Sequence, residues 1–192
     1  PSTGKEKGRI DFNPNKIETF LKTDLKSFIS MMFDNPHFSR ADVACDILDL
    51  PDDYVSQYRL VDAVSFRPYY GMNGALETAY WGARSSERQV RMYNKKLEQE
   101  KKKQVLPEEV KTWWRLELQL RRSKADEWTG VVSETLDSFY SPHYLPHDMK
   151  VTDKVMLAGL HAEHSLWSQL SDNTKRKYRK LMKQIAKEDE LL

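Results

Sequence analysis

The sequence lacks the features that mark disulfide scaffolds, membrane spans and phosphate-binding loops. Among 192 residues there is one cysteine, Cys45, so an internal disulfide framework is excluded and a reducing compartment is expected. No apolar run approaches the roughly 18 residues that a membrane span needs, and no signal-peptide pattern opens the chain. The seven glycines form no phosphate-cradling loop. These absences predict a globular protein of the cytoplasm.

Charged residues are abundant and unevenly distributed. The chain carries 31 Lys and Arg against 29 Asp and Glu, a formal net charge of +2. Residues 84–124, however, hold 13 Lys and Arg against 6 Asp and Glu, a local net charge of +7, and residues 172–187 reach +6. Basic segments in a nearly neutral protein indicate a polyanion bound on particular faces. Solvated helix faces explain the same charge equally well, so charge alone leaves nucleic-acid binding open.

Hydrophobic periodicity predicts an α+β domain with a mainly antiparallel sheet, followed by helices. Asn13 and Pro14 are typical of a helix start, and apolar residues continue at helical spacing to residue 33. Alternating apolar and polar side chains predict strands elsewhere. We expect strands over 8–12, 37–48, 64–70, 76–82, 89–96 and 113–121, a loop and short helix over 49–58, a charged connection over 98–111, and helices near 125–139, 152–170 and 172–190.

Three of the predicted strands carry polar side chains opposite an apolar face. If these strands are neighbours, the face combines carboxylates, cations and a phenol, which suits phosphoryl transfer. Charged strand faces and ordinary salt bridges are common as well, so the spacing alone leaves the chemistry open. The residues on these faces are Asp42 and Asp46, then Arg91, Tyr93 and Lys95, then Arg115 and Glu117.

Two weaker patterns were considered. His161 and His164 offer two imidazoles on a predicted helix, but no third ligand follows at metal-binding spacing, which favours solvated histidines. Aromatic residues between positions 69 and 81 interleave with basic ones and suit stacking on unpaired bases. Packing in a core explains them equally well. These aromatic residues are Tyr69, Tyr70, Tyr80 and Trp81.

Six motifs follow one another along the chain. They read RIDFNPNK at 9–16, FSRADVACD at 38–46, YGMNGALET at 70–78, YWGARSS at 80–86, RMYNKK at 91–96 and WRLEL at 114–118. In this order they resemble the rolling-circle plasmid replication initiators of Gram-positive bacteria. These are the replication initiation factor (Rep_trans) proteins, typified by the staphylococcal Rep initiators. The likeness runs from about residue 8 to residue 190.

The resemblance implies both a fold and a reaction. Such proteins nick and rejoin one strand at a plasmid origin through a tyrosine in an Arg-x-Tyr-Asn-Lys motif, here Tyr93. The tyrosine becomes linked to the 5′ phosphate, and the free 3′ hydroxyl primes synthesis. The implied fold is related to the HUH endonucleases, with a five-stranded antiparallel sheet and helices. Arg91 and Lys95 are the expected catalytic neighbours of the nucleophile.

The resemblance also implies a divalent metal ion, Mg²⁺ or Mn²⁺. The His-hydrophobic-His metal motif of HUH enzymes is absent from this sequence, so acidic residues are the expected ligands. By position and face these are Asp42 and Glu117, followed by Asp46. Asp11 and Glu77 are alternatives, since both lie within motifs that resemble the family.

The resemblance divides the chain into a nicking and closing core over residues 1–124 and a helical part over residues 125–192. The helical part is expected to pack on the core and to recognise origin DNA. Basic residues in both parts are expected to contact DNA. They are Arg84, Arg88, Lys96 and Arg115 in the core, and Lys175, Arg176, Lys177, Arg179 and Lys180 in the helical part.

The expected partners follow from the same resemblance. They are plasmid origin DNA, as a single-stranded or hairpin nick site with flanking duplex, a second copy in a full-length homodimer, and a PcrA-type helicase; no membrane is expected. The chain begins with proline, so we expect it to be part of a longer protein. Two alternatives stay open. A relaxase of a conjugative element uses the same chemistry, and a non-catalytic DNA-binding regulator needs neither Tyr93 nor the carboxylates.

Overall fold

The computed structural model describes residues 11–61, 63, 65–106, 109–141 and 144–188. Contacts within the chain divide it into two compact units, residues 1–37 and residues 38–192. The C-terminal helices lie in the same unit as the sheet, and the expected division of function at residues 124 and 125 stays a prediction.

The described residues form nine helices and seven strands, numbered here in chain order. The helices are α1 Pro14–Leu21, α2 Leu25–Met32, α3 Asp52–Val55, α4 Lys95–Lys101, α5 Ser123–Asp126, α6 Trp128–Leu136, α7 Val151–Ala162, α8 Leu166–Gln169 and α9 Asp172–Glu188. The strands are β1 Arg40–Leu48, β2 Arg59–Leu60, β3 Phe66–Tyr70, β4 Leu76–Trp81, β5 Arg88–Asn94, β6 Trp113–Arg121 and β7 Phe139–Tyr140.

The first unit contains two helices where the sequence predicts one over residues 14–33. Lys22 has a φ of 50°, a left-handed conformation that a helix interior does not accept, so α1 ends before it. Asp24 then begins α2, because its side chain accepts a hydrogen bond from the Ser27 amide at 2.9 Å. Residues 8–10 of the predicted first strand lie outside the described residues, and Asp11 and Phe12 form no strand.

Five strands of the second unit form one sheet in the order β1-β6-β5-β4-β3, and every neighbouring pair is antiparallel. The short strands β2 and β7 pair separately. The predicted α+β fold with a five-stranded antiparallel sheet is therefore confirmed. The predicted helices near 125–139 and 152–170 are each interrupted, the first by the break between α5 and α6 and the second by that between α7 and α8.

The β3–β4 and β4–β5 connections are short because glycine adopts the conformations that they need. Gly74 has a φ of 77° in the first turn, where the Asn73 side chain also accepts from the Ala75 amide at 3.1 Å. Gly82 has a φ of 85°, and a Cβ at this position would lie 2.9 Å from the Arg88 carbonyl oxygen. These turns fix the register of three adjacent strands.

One face of the sheet forms the main hydrophobic core. Apolar residues alternate along β6, where Leu116 and Leu120 are fully buried and Trp114 is 1% exposed. They pack with α3, α5, α6 and the β2–β7 pair. The residues of this face and its coverings are Ile47, Val55, Tyr58, Leu60, Ala79, Trp81, Val90, Met92, Trp114, Leu116, Leu118, Leu120, Ala125, Val131 and Phe139.

The opposite side, called the polar face below, carries the side chains that alternate with this core. Residues paired directly across antiparallel strands point to the same face of a sheet. The register therefore places on the polar face Arg67 and Tyr69, Thr78 and Tyr80, Gln89, Arg91 and Tyr93, Arg115, Glu117 and Gln119, and Asp42, Ala44 and Asp46.

The C-terminal helices build a second hydrophobic cluster within the same unit. One side of α9 buries Tyr178, Met182 and Ile185, which pack with Leu157 and Leu160 of α7. Among the described residues, no helix has the length and apolar character to cross a membrane.

Candidate active site

The sheet brings the three polar strand segments together in two rows that run across the strands. In one row Tyr93 is paired with Arg115, which is paired in turn with Asp46. In the next row Arg91 is paired with Glu117, and Glu117 with Ala44. The three strands β1, β6 and β5 are therefore neighbours, as the prediction of one combined polar face requires.

Tyr93 lies at the centre of this arrangement and is only 7% exposed. Its hydroxyl donates a hydrogen bond to Oε1 of Glu117 at 2.9 Å. The other Glu117 oxygen, Oε2, accepts from Arg91 at 2.5 Å. The Arg91 guanidinium also lies 4.3 Å from the centre of the Tyr93 ring. Because Arg91 binds both the acceptor and the ring, it holds the phenol and the carboxylate in one orientation.

Lys95 reaches the same hydroxyl from a helix and not from the strand. The sequence places Lys95 on the Tyr93 strand, but β5 ends at Asn94, whose side chain accepts from the Leu97 amide at 2.9 Å and caps α4. Lys95 is the first residue of α4 and is 8% exposed. Its Nζ lies 3.5 Å from the Tyr93 hydroxyl oxygen and forms an ion pair with Glu98.

These surroundings favour the neutral phenol. The pKa of Tyr93 is raised to about 12, mainly by burial and also by its hydrogen bond to Glu117 and the charges of Glu117 and Glu98, while the charge of Arg91 lowers it. Glu98 is affected in the opposite direction. Burial raises its pKa, but hydrogen bonds from Lys102 and Lys95 outweigh burial and bring the pKa to about 2.

The three predicted metal ligands share the polar face, but each binds an arginine. Both oxygens of Asp42 accept from Arg40, both oxygens of Asp46 accept from Arg115 at 2.6 and 2.7 Å, and Glu117 binds Arg91 and Tyr93. Within the described part of the chain, no group of three or more His, Cys, Asp or Glu residues could hold a metal ion. Each of the three carboxylates is bound to an arginine in this arrangement, so metal binding would require these ion pairs to open.

The two alternative ligands have different surroundings. Glu77 pairs with Lys101 of α4 at 3.1 Å, and Asp11 belongs to the first unit.

Comparison with known proteins places this geometry in a family context. Residues 71–141 match the model of the replication initiation factor family, Rep_trans. The chain is 36% identical over 188 residues to a replication initiation protein of Staphylococcus aureus, a match that covers 94% of the chain and 56% of the relative. A second such protein from the same organism is 35% identical over 185 residues, covering 93% of the chain and 55% of the relative. The chain is similar to staphylococcal replication initiation proteins over nearly its whole length.

The predicted resemblance is thus confirmed, and the chain spans about half the length of the curated relatives that it matches. Among solved structures, a rolling circle replication initiator protein from Geobacillus stearothermophilus is similar with a TM-score of 0.42 and 18% identity. That match covers 65% of this chain and 56% of the other.

The basic residues predicted for DNA contact have different surroundings. Arg84 is exposed in the β4–β5 connection. Arg115 lies beside Tyr93 and binds Asp46. Lys96 donates to the carbonyl oxygens of residues 110 and 111, at 3.1 and 2.9 Å, and so ties α4 to that segment.

Arg88 does not lie on the Tyr93 face. It is paired with Leu120 of the core face and donates to the Thr135 hydroxyl of α6 at 3.0 Å. The DNA contact expected of Arg88 stays a prediction.

The basic residues of α9 lie around the exposed part of the helix. Lys177 binds Asp153 of α7 at 2.6 Å, Lys175 pairs with Asp172 at 3.8 Å, and Arg179 lies 5.8 Å from the ring of Trp167. Arg176 and Lys180 are exposed. The buried residues of α9 point the other way, so this basic surface is available to a polyanion.

Sequence reasoning missed Glu98, which binds Lys95 and raises the pKa of Tyr93. A signal was present, because Asn94 is a favoured N-cap residue and a helix beginning after it places Lys95 and Glu98 on one side, three residues apart.

Proposed function

We propose that the chain nicks and rejoins one strand of plasmid origin DNA by tyrosine transesterification, and thereby initiates rolling-circle replication. The observation that carries the proposal is the Tyr93 hydroxyl, hydrogen bonded to Glu117 at 2.9 Å on a sheet face flanked by Arg91, Lys95 and Arg115. Homology with replication initiation proteins supports it. Because the chain spans about half of those relatives, the activity of the whole protein is part of the proposal.

The proposed step transfers one phosphate ester to the enzyme. The Tyr93 oxygen attacks the scissile phosphorus, an O–P bond forms, and the bond from phosphorus to the 3′ oxygen breaks. The phenol proton passes to Glu117, and the departing 3′ oxygen takes a proton from water. The products are a 5′-phosphotyrosyl linkage and a free 3′ hydroxyl, and the reverse reaction rejoins the strand.

The pKa of Tyr93 explains why a proton acceptor is needed. With a pKa of about 12, only about one phenol in 10⁵ is ionised at pH 7. Transfer of the proton to Glu117 during the attack avoids the free phenolate, and general-base catalysis of this kind contributes about 10²- to 10⁴-fold. Lys95, 3.5 Å from the phenol oxygen, and Arg91 supply positive charge where negative charge develops on phosphate oxygens.

Dependence on Mg²⁺ or Mn²⁺, with Asp42, Glu117 and Asp46 as ligands, remains a prediction. A homodimer of the full-length protein and a PcrA-type helicase likewise remain predicted partners. A conjugative relaxase would use the same proposed chemistry on a transfer origin, whereas a non-catalytic regulator would bind DNA without Tyr93.

The test is a cleavage screen with the 192-residue chain. Labelled single-stranded oligonucleotides tile both strands of the replicon that carries the gene, and each is incubated with protein and Mg²⁺ or Mn²⁺. We expect one oligonucleotide to give a shortened product and a covalent protein–DNA band, both lost in Tyr93→Phe and retained in Tyr70→Phe. DNA binding without any adduct would contradict the proposal and favour the regulator.

The same screen tests the metal. Loss of the adduct in EDTA, with recovery on adding Mg²⁺ or Mn²⁺, is the expected result. An unchanged adduct in EDTA would exclude a metal requirement while leaving Tyr93 as the nucleophile.

A further inference from the structure

Two further tyrosines lie on the polar face, one in the row that contains Tyr93 and one in the adjacent row. Tyr69 of β3 is paired with Thr78, and Thr78 with Tyr93, so Tyr69 and Tyr93 occupy one row two strands apart. Tyr80 is paired with Arg91 in the adjacent row. Neighbouring strands lie about 4.8 Å apart, which places the Tyr69 backbone about 10 Å from that of Tyr93.

These tyrosines are not part of a core. Tyr69 is 55% exposed, Tyr80 is half-buried, and their rings meet edge to face with centroids 5.7 Å apart. Trp81, which does belong to the core, lies on the other side of the sheet, and its ring centre is 5.4 Å from that of Phe66. The sequence leaves open whether these aromatic residues stack on bases or pack in a core, and the strand register distinguishes the two. Trp81 packs in the core, whereas Tyr69 and Tyr80 lie on the polar face.

Two cations adjoin Tyr80. Exposed Arg67 and half-buried Arg91 are paired with Tyr80 from either side. The guanidinium of Arg67 donates to the Gly82 carbonyl at 3.3 Å, which holds the side chain along β4. Cations beside exposed aromatic rings are the combination by which proteins bind single-stranded nucleic acid, since the cations contact phosphates and the rings stack on bases.

We propose that Tyr69, supported by Tyr80, is a stacking platform for an unpaired base of the DNA strand that Tyr93 cleaves. The inference rests on the proposed function for its substrate. A nucleotide advances about 3.4 Å along a stacked strand, so the separation of about 10 Å puts the stacked base within about three nucleotides of the scissile phosphate. The platform would hold the strand across β3, β4 and β5, with its phosphate at Tyr93.

The experiment measures binding separately from cleavage. A fluorescein-labelled 20-nucleotide oligothymidylate is titrated against variants that all carry Tyr93→Phe. Loss of one base-stacking side chain weakens binding about 5- to 100-fold, so we expect Tyr69→Ala to raise the Kd by that factor and Tyr69→Trp to restore it. Tyr70→Ala is the matched control, because Tyr70 is 63% exposed and follows the bulge after Tyr69, outside the Tyr93 row. Its Kd should stay within about twofold.

A second measurement locates the base. In the oligonucleotide that the cleavage screen identifies, an abasic nucleotide is placed at each position beside the nick. In the Tyr93→Phe parent, an abasic nucleotide at one or two positions should weaken binding. When the protein also carries Tyr69→Ala, the same abasic nucleotides should have no further effect. A Kd for Tyr69→Ala within twofold of its parent, or an equal effect on fully paired duplex, would overturn the platform. Absence of any adduct with the unaltered chain would instead overturn the proposed function, because the oligothymidylate titration needs no cleavage.

Discussion

The Tyr93 hydroxyl donates to Glu117 and lies 3.5 Å from the Lys95 ammonium group, so its oxygen has a proton acceptor on one side and a cation on the other. Arg91 binds the second oxygen of Glu117 and therefore prevents the carboxylate from turning away. The arrangement keeps the phenol protonated at rest and places a carboxylate in hydrogen-bonding distance of it, where the proposed reaction needs a proton acceptor.

Glu117→Gln should remove the proton acceptor while keeping its size. The amide oxygen can accept a hydrogen bond from Tyr93 but does not take its proton at neutral pH, so we expect cleavage to fall by about 10²- to 10⁴-fold. The measurement is single-turnover adduct formation, with DNA affinity determined in parallel. Glu87→Gln, whose carboxylate pairs with Arg122, is the control and should cleave normally. Cleavage by Glu117→Gln within about threefold of the unaltered chain would remove Glu117 from the mechanism.

The raised pKa of Tyr93 makes stability depend on alkaline pH. Because the folded chain favours the neutral phenol, the folded pKa of about 12 lies above the ordinary value of 10. The resulting stabilisation is fully present below pH 10 and is lost as pH rises towards 12. The free energy of unfolding in urea should therefore fall less between pH 9 and pH 11 in Tyr93→Phe than in the unaltered chain. Equal decreases would show that Tyr93 has an ordinary pKa.

At the scale of single elements, α9 has one side that packs in the protein and another side that is basic and exposed. Tyr178, Met182 and Ile185 pack against the second hydrophobic cluster, and the basic residues occupy the remaining surface. This geometry fits a helix that is fixed on one side and presents charge to DNA on the other. It implies affinity without defining sequence preference, since phosphate contacts carry no direct sequence information.

Neutralising the exposed basic residues of α9 should weaken duplex binding and its salt dependence together. In the triple variant Arg176→Gln, Arg179→Gln, Lys180→Gln, each lost phosphate contact should reduce the slope of log K against log salt by about 0.9. Binding isotherms at several salt concentrations give the slope. The control replaces Lys16, Lys22 and Lys26 by Gln, which removes the same charge from the first unit. An unchanged slope in the α9 variant would place the duplex elsewhere.

Elements with a strong local pattern could be predicted from the sequence, but breaks in the helices and the end of β5 could not. Alternation located β6 over residues 113–121, because its inward side chains are uniformly apolar. The break after α1 was missed, since a lysine in the left-handed conformation leaves no compositional signal. The sequence pattern predicts Lys95 on the strand, because alternation does not show where a strand stops. In the structure the Asn94 side chain caps α4, which begins at Lys95.

The residues of the candidate site could be predicted from the sequence, but the contacts between them could not. Tyr93, Arg91 and Glu117 were identified from motifs and strand faces, but their partners depend on strand order and register. The order β1-β6-β5 sets Asp46 beside Arg115 and Glu117 beside Arg91. Nothing within one segment indicates that these carboxylates bind arginines.

Across the whole molecule, the sheet, its core and the C-terminal cluster belong to one compact unit over residues 38–192. Both hydrophobic clusters lie within that unit. All predicted catalytic residues and the basic residues of α9 also belong to this unit. The proposed cleavage site and the proposed surface for duplex DNA therefore lie in the same unit.

Removal of residues 1–37 should therefore leave a folded remainder. We expect a chain of residues 38–192 to unfold cooperatively in urea and to retain the near-ultraviolet circular dichroism of its buried aromatic residues. A remainder without cooperative unfolding would show that the first unit is required for the fold.

The central claim, that Tyr93 is the nucleophile, is tested most directly by locating the covalent bond. The adduct formed with the cleaved oligonucleotide is digested with nuclease and protease, and the peptide that retains a nucleotide is sequenced by mass spectrometry. The account predicts a single modified residue, Tyr93, carrying a 5′ phosphate. A nucleotide attached to Tyr69, Tyr80 or any other residue would contradict it.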